Sequence, residues 1–133
     1  MRFLSILLFS LSLSWVVAAD AAVTGVAKLD PAVAAGIDGD TTVFIFARAV
    51  KGPRMPLAMV RTQVRNLPFA FTLDDSSAMM PQMSLSSFGT VDVVARVSRS
   101  GMATPASGDL EGQLKAIGND TQGAELVIDK VLP

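Results

Sequence analysis

Hydrophobic and polar residues alternate at period two along most of this chain, in short stretches. Thr41–Val50 (TTVFIFARAV) is rich in β-branched and aromatic residues, with Val43, Ile45 and Ala47 on one face and Phe44, Phe46 and Arg48 on the other. Large apolar residues on both faces predict a central strand covered on both sides. Pro56–Arg65 sets Ala58, Val60, Thr62 and Val64 against Met59, Arg61 and Gln63. Leu67–Leu73 turns Leu67, Phe69, Phe71 and Leu73 inward. Thr90–Ser98 sets Val91, Val93, Ala95 and Val97 against Asp92, Val94, Arg96 and Ser98, and Glu125–Leu132 predicts one further strand. Val23–Leu29 and Asp109–Ala116 show weaker alternation. Turn signals separate these stretches at Gly36–Gly39, Lys51–Arg54, Ser98–Gly101 and Gly118–Asp120. Pro31 at the start and Gly36 at the end of Asp30–Gly36 predict a single helical turn. About seven short strands with so little helical patterning predict an all-β fold, a β-sandwich.

The N-terminus departs from this alternation. Arg2 is followed by an apolar run, Phe3–Val17, and then by the small residues Ala18 and Ala19. A basic start, an apolar middle and a small-residue end are the layout of an export signal. The expected signal peptide is residues 1–19, with cleavage after Ala19 or Ala21, and the domain is 20–133. An uncleaved anchor is the alternative; the run is marginal for a span, which needs about 20 residues. Removing the signal takes away the only Trp and leaves roughly 113 residues with a net charge of about −2, one domain of ordinary size.

Composition then narrows the chemistry. A weakly negative chain does not suit nucleic acid. The chain has no His and no Cys. Their absence removes the usual zinc and iron ligands, haem ligation by either residue, the thiol nucleophile and the His general base. A non-enzymatic chain without a resident cofactor is expected. Asp38-Gly-Asp40 fails the calcium-loop pattern, because Ala49 stands where the bidentate Glu would fall. A tight turn is the better reading there. Asp74 and Asp75 are adjacent, and adjacent strand residues diverge, whereas paired catalytic carboxylates must converge. Asp and Ser at 74–77 suit a turn or cap.

The methionines remain. Met79, Met80 and Met83 fall in the loop between Leu73 and Thr90. In an exported protein, soft thioethers select Cu(I), and these three could supply such ligands, although Met-only copper segments usually repeat their methionines more densely. They could equally fill gaps in the core or form an adaptable partner surface.

Four blocks, in order, resemble a known family. Asp40–Ala58 (DTTVFIFARAVKGPRMPLA), Leu73–Phe88 (LDDSSAMMPQMSLSSF) and Ala95–Gly112 (ARVSRSGMATPASGDLEG) resemble the C-terminal domain of CycH/CcmI-type cytochrome c biogenesis proteins, and so does the closing Val127–Pro133 (VIDKVLP). Order and spacing match from about Val23 to Pro133. The resemblance implies an immunoglobulin-like β-sandwich and a periplasmic accessory or chaperone role in c-type cytochrome maturation. Its partners would be proteins, apocytochrome c or haem-ligation components, with membrane contact only through them unless the signal is uncleaved. Members of that family carry membrane helices and a tetratricopeptide region ahead of this domain, and the helical repeats grip the apocytochrome. Only a signal peptide and the sandwich are expected here. A structural envelope interaction domain unrelated to cytochromes is therefore a further alternative. Loops carry function on rigid sandwiches, so partner binding is expected at Asp74, Asp75, Met79, Met80 and Met83 in one loop and at Arg99 and Met102 in the loop Ser98–Gly108.

Overall fold

Period-two alternation becomes two packed sheets. The computed structural model describes residues 21–51, 55–78, 80 and 83–133. Its strands are β1 (Ala22–Leu29), β2 (Thr42–Ala49), β3 (Pro56–Gln63), β4 (Phe69–Asp74), β5 (Thr90–Ser98), β6 (Leu110–Gly118), β7 (Ala124–Ile128) and β8 (Lys130–Val131). One sheet has the order β4-β1-β7 and the other β3-β2-β5-β6-β8. All neighbours are antiparallel except β1 and β7, which run parallel and join the two ends of the domain. The expected export signal lies outside the described residues, as do Arg54 and Met79. No described helix is long and apolar enough to cross a membrane.

The core lies between the sheets and is drawn from the residues that alternation turns inward. Val43, Ile45 and Ala47 of β2 and Val91, Val93, Ala95 and Val97 of β5 meet Val23 of β1, Phe71 and Leu73 of β4, and Leu126 and Ile128 of β7. Burying each large side chain stabilises the fold by about 1.5–3 kcal/mol before entropy is counted.

β3 ends at Gln63, where Val64–Asn66 form a 3₁₀ turn instead of carrying the expected strand to Arg65, and the structure departs from the sequence pattern at three further places. Glu125–Leu132 is not one strand but two, divided at Asp129. Ile128 is fully buried with the small sheet's residues, whereas the Asp129 N–H donates to the Glu111 carbonyl (3.3 Å) and the Leu132 N–H to the Asp109 carbonyl (2.8 Å). The chain thus changes sheets there. It crosses β6 so closely that a Cβ on Gly112 would collide with the Val127 carbonyl oxygen. Second, Asp30–Gly36 forms hydrogen-bonded turns rather than a helical turn. The Val33 and Ala34 amides donate to the Asp30 and Pro31 carbonyls, and the Asp30 side chain accepts from the Ala32 N–H. Local side-chain bonding of this kind competes with helix formation. Third, Leu67 and Pro68 precede β4, whose ladder begins at Phe69.

Candidate functional site

Register places an unusual set of side chains on the outer face of the five-stranded sheet. Pairing of β2 with β3 sets Phe44 opposite Arg61 and Phe46 opposite Met59. Pairing of β2 with β5 sets Phe46 opposite Val94 and Arg48 opposite Asp92. Pairing of β5 with β6 sets Arg96 opposite Glu111 and Val94 opposite Gln113. Phe44, Phe46 and Val94 form a second apolar cluster with Met59 packed against it, separate from the core between the sheets. The sequence pattern predicts cover on both sides of β2. The inner side has it, but among the described residues no strand covers the outer side. Arginines do so instead: the Arg61 guanidinium lies 5.4 Å from the Phe44 ring centroid and that of Arg96 lies 5.4 Å from the Phe46 centroid. Phe44 and Phe46 are only 4% and 5% exposed as a result. Such contacts are electrostatically favourable and cover the rings with aliphatic stems.

Arg96 is held from three directions. Its Nε and one terminal nitrogen both donate to Glu111 Oε2, at 3.0 and 2.9 Å, and the other donates to the Ala103 carbonyl at 2.8 Å. Gln113 donates its amide N–H to the other Glu111 oxygen. Both charges are nearly buried, and each has partners, as a buried ion pair requires. Arg48 approaches Asp92 only to 3.9 Å, while Asp92 also accepts the Ala116 N–H at 2.8 Å. Beside this network is a depression of about 430 Å³, lined by Phe46, Met55, Met59, Arg48, Arg96 and Pro105 among others. Met55 is 44% exposed.

The residues expected from sequence fall in two groups. Asp74 and Asp75 are used by the fold. Asp74 caps a short 3₁₀ turn at Asp75–Ser77, accepting from Ser76 while the Ser77 hydroxyl receives the Asp74 N–H. Asp75 accepts both the Ser86 N–H, at 3.0 Å, and the Ser86 hydroxyl, and so ties the two ends of the methionine loop together. Met80 and Met83 are half-buried, and Met83 packs against the main core. The Asp38-Gly-Asp40 pair forms a turn in which Asp38 accepts the Asp40 N–H, with Arg65 paired to Asp40.

Arg99 and Met102 lie in the second loop, at a different place on the surface. Arg99 is exposed, with its Nε bound to the Gly108 carbonyl at 2.8 Å and its N–H to Asp109. Met102 is 62% exposed. The same loop supplies Ala103, Thr104 and Pro105 to the wall of the depression, so this predicted loop borders the outer face. Phe44, Phe46, Met59, Arg61, Arg96 and Glu111 were not among the expected site residues. The available signal was the recurrence of arginine two positions after an apolar residue on the same face: Phe46 with Arg48, Met59 with Arg61, Val94 with Arg96.

Comparison with known proteins gives a consistent picture. A family model described as the cytochrome c-type biogenesis protein H Ig-like domain matches residues 23–129. The cytochrome c-type biogenesis protein CycH of Pseudomonas aeruginosa is 46% identical over 114 residues, which are 84% of this chain. The chain corresponds to only 28% of that protein's length. No solved structure gives a significant match.

Proposed function

This chain belongs to the family of cytochrome c-type biogenesis protein H Ig-like domains, and from that premise we propose that it is a non-catalytic, periplasmic binding module in c-type cytochrome maturation. It would hold apocytochrome c or a haem-ligation component for the enzymes that attach haem, reaching the membrane only through such partners. The 46% identity to CycH across nearly the whole domain carries this reading. The side-chain inventory supports it, because a chain without His or Cys has neither the usual general base nor a thiol for catalysis. Arg99 and Met102, exposed in a loop that borders the outer face, suit partner contact better than the carboxylates of Asp74 and Asp75, which the fold already uses.

Deletion of the gene tests the proposal. Covalently haem-bound cytochromes, read by haem staining after denaturing electrophoresis, should fall while apocytochrome transcripts stay constant, and the full chain supplied in trans should restore them. If every c-type cytochrome stays at its wild-type level, the cytochrome role is wrong.

A further inference from the structure

We propose that the outer face of the five-stranded sheet is a docking surface for an acidic, apolar protein segment, one in which aromatic or large aliphatic side chains stand beside carboxylates. The apolar part of the argument is the depression itself. Phe46, Met55, Met59 and Pro105 line it, and Met55 is 44% exposed. Aromatic residues, methionine and arginine are the types enriched at the centres of protein interfaces, and methionine adapts its shape to what it meets.

The acidic part follows from counting charges on this face. Among the described residues its two carboxylates are committed: Glu111 to Arg96 and Gln113, and Asp92 to the Ala116 N–H with Arg48 near it. Arg61 is exposed on the Phe44 ring, and among the described residues no carboxylate lies within 4.0 Å of it. Arg48 reaches its only such carboxylate at 3.9 Å, a distance too long for a direct hydrogen bond. The unmatched charge is therefore positive and lies beside apolar surface. A carboxylate next to an apolar side chain complements both, whereas a basic segment would be repelled. The Arg96–Glu111–Gln113 network keeps the floor rigid, which limits the entropy lost on docking.

This proposal does not depend on the cytochrome reading and can fail separately from it. The probe is a synthetic peptide of about ten residues in which Phe-Phe and Glu-Glu pairs alternate, so that an extended segment lying on the sheet presents both residue types on the face it docks with. Two controls carry Lys in place of Glu and Ser in place of Phe. The full chain is labelled at its methionine methyls. The Met55 and Met59 resonances should shift with the Phe/Glu peptide and not with either control, while those of Met80 and Met83 stay in place. Arg61→Glu should weaken binding about tenfold or more, as loss of a complementary charge at an interface does. Unchanged Met80 and Met83 resonances check that the variant is folded. Should it not fold, Arg61→Ala gives the same comparison with no charge reversed. The proposal is overturned if no peptide shifts Met55 and Met59, or if the Lys peptide binds equally well. It is also overturned if these two methyls shift with protein concentration alone, which would assign the face to a second copy of the chain.

Discussion

The methionine loop and the outer face of the large sheet draw on the same residue types and use them in opposite ways. In the loop, the carboxylates of Asp74 and Asp75 bond the chain's own N–H and hydroxyl groups, and Met83 turns into the main core. On the outer face, Glu111 fixes an arginine, Arg96, over a phenylalanine, and Met55 is left half open to solvent. A cluster of carboxylates and methionines in sequence is thus a poor guide to a site. What matters is whether the polar groups are used up by local turns. For Asp74 and Asp75 in the loop they are, and on the sheet face, among the described residues, a positive charge is left over.

The largest expected effect tests how the sheet face is held. Glu111→Ala leaves Arg96 nearly buried without its carboxylate, and breaking a buried ion pair from one side costs about 3 kcal/mol or more. Chemical denaturation should show that loss. The double variant Arg96→Met with Glu111→Leu should recover most of it, since an apolar replacement of such a pair is often neutral or stabilising. The double variant should nevertheless lose the Phe/Glu peptide. If the double variant keeps the peptide, the ion pair does not serve the face, and the contrast with the loop disappears.

A smaller effect is expected in the loop. Asp75→Ala removes two bonds from a carboxylate to Ser86, and the lost charge-assisted bonding should destabilise the domain by about 1–2 kcal/mol, less than Glu111→Ala because the site is partly exposed. Peptide shifts at Met55 and Met59 should be unchanged. A variant that is as stable as the parent but weaker for the peptide would reverse the assignment of roles between the two regions.

Strand positions were legible in the sequence because inward valines and leucines at period two leave little choice of register, as at Thr90–Ser98, which is β5 without adjustment. The division at Asp129 was not, because it depends on Glu111 of β6 and Asp109 just before it offering carbonyls and on Gly112 admitting the crossing. Turn chemistry at Asp74–Ser77 was legible, since an Asp with Ser three residues on can cap locally. The outer face was not. Phe44, Arg61, Arg96 and Glu111 lie on four different strands, and only the pairings of β2, β3, β5 and β6 bring them together. Local alternation assigns each of them a face but says nothing about which neighbour covers it.

The smallest effect separates two methionines that sequence treats alike. Met83 is half-buried against the core, and Met102 is 62% exposed in the loop that borders the sheet face. Met83→Gln places an amide against apolar neighbours and should cost about 1 kcal/mol. Met102→Gln should fall within about 0.5 kcal/mol of the parent, as substitutions at exposed positions do. Thermal or denaturant unfolding of the two variants side by side gives the comparison. Equal, negligible losses would mean that Met83 contributes no packing and that the loop is as open to a partner as the sheet face is. The methionine loop would then return as a rival docking surface, and the Phe/Glu peptide titration, followed at Met80 and Met83, would decide between them.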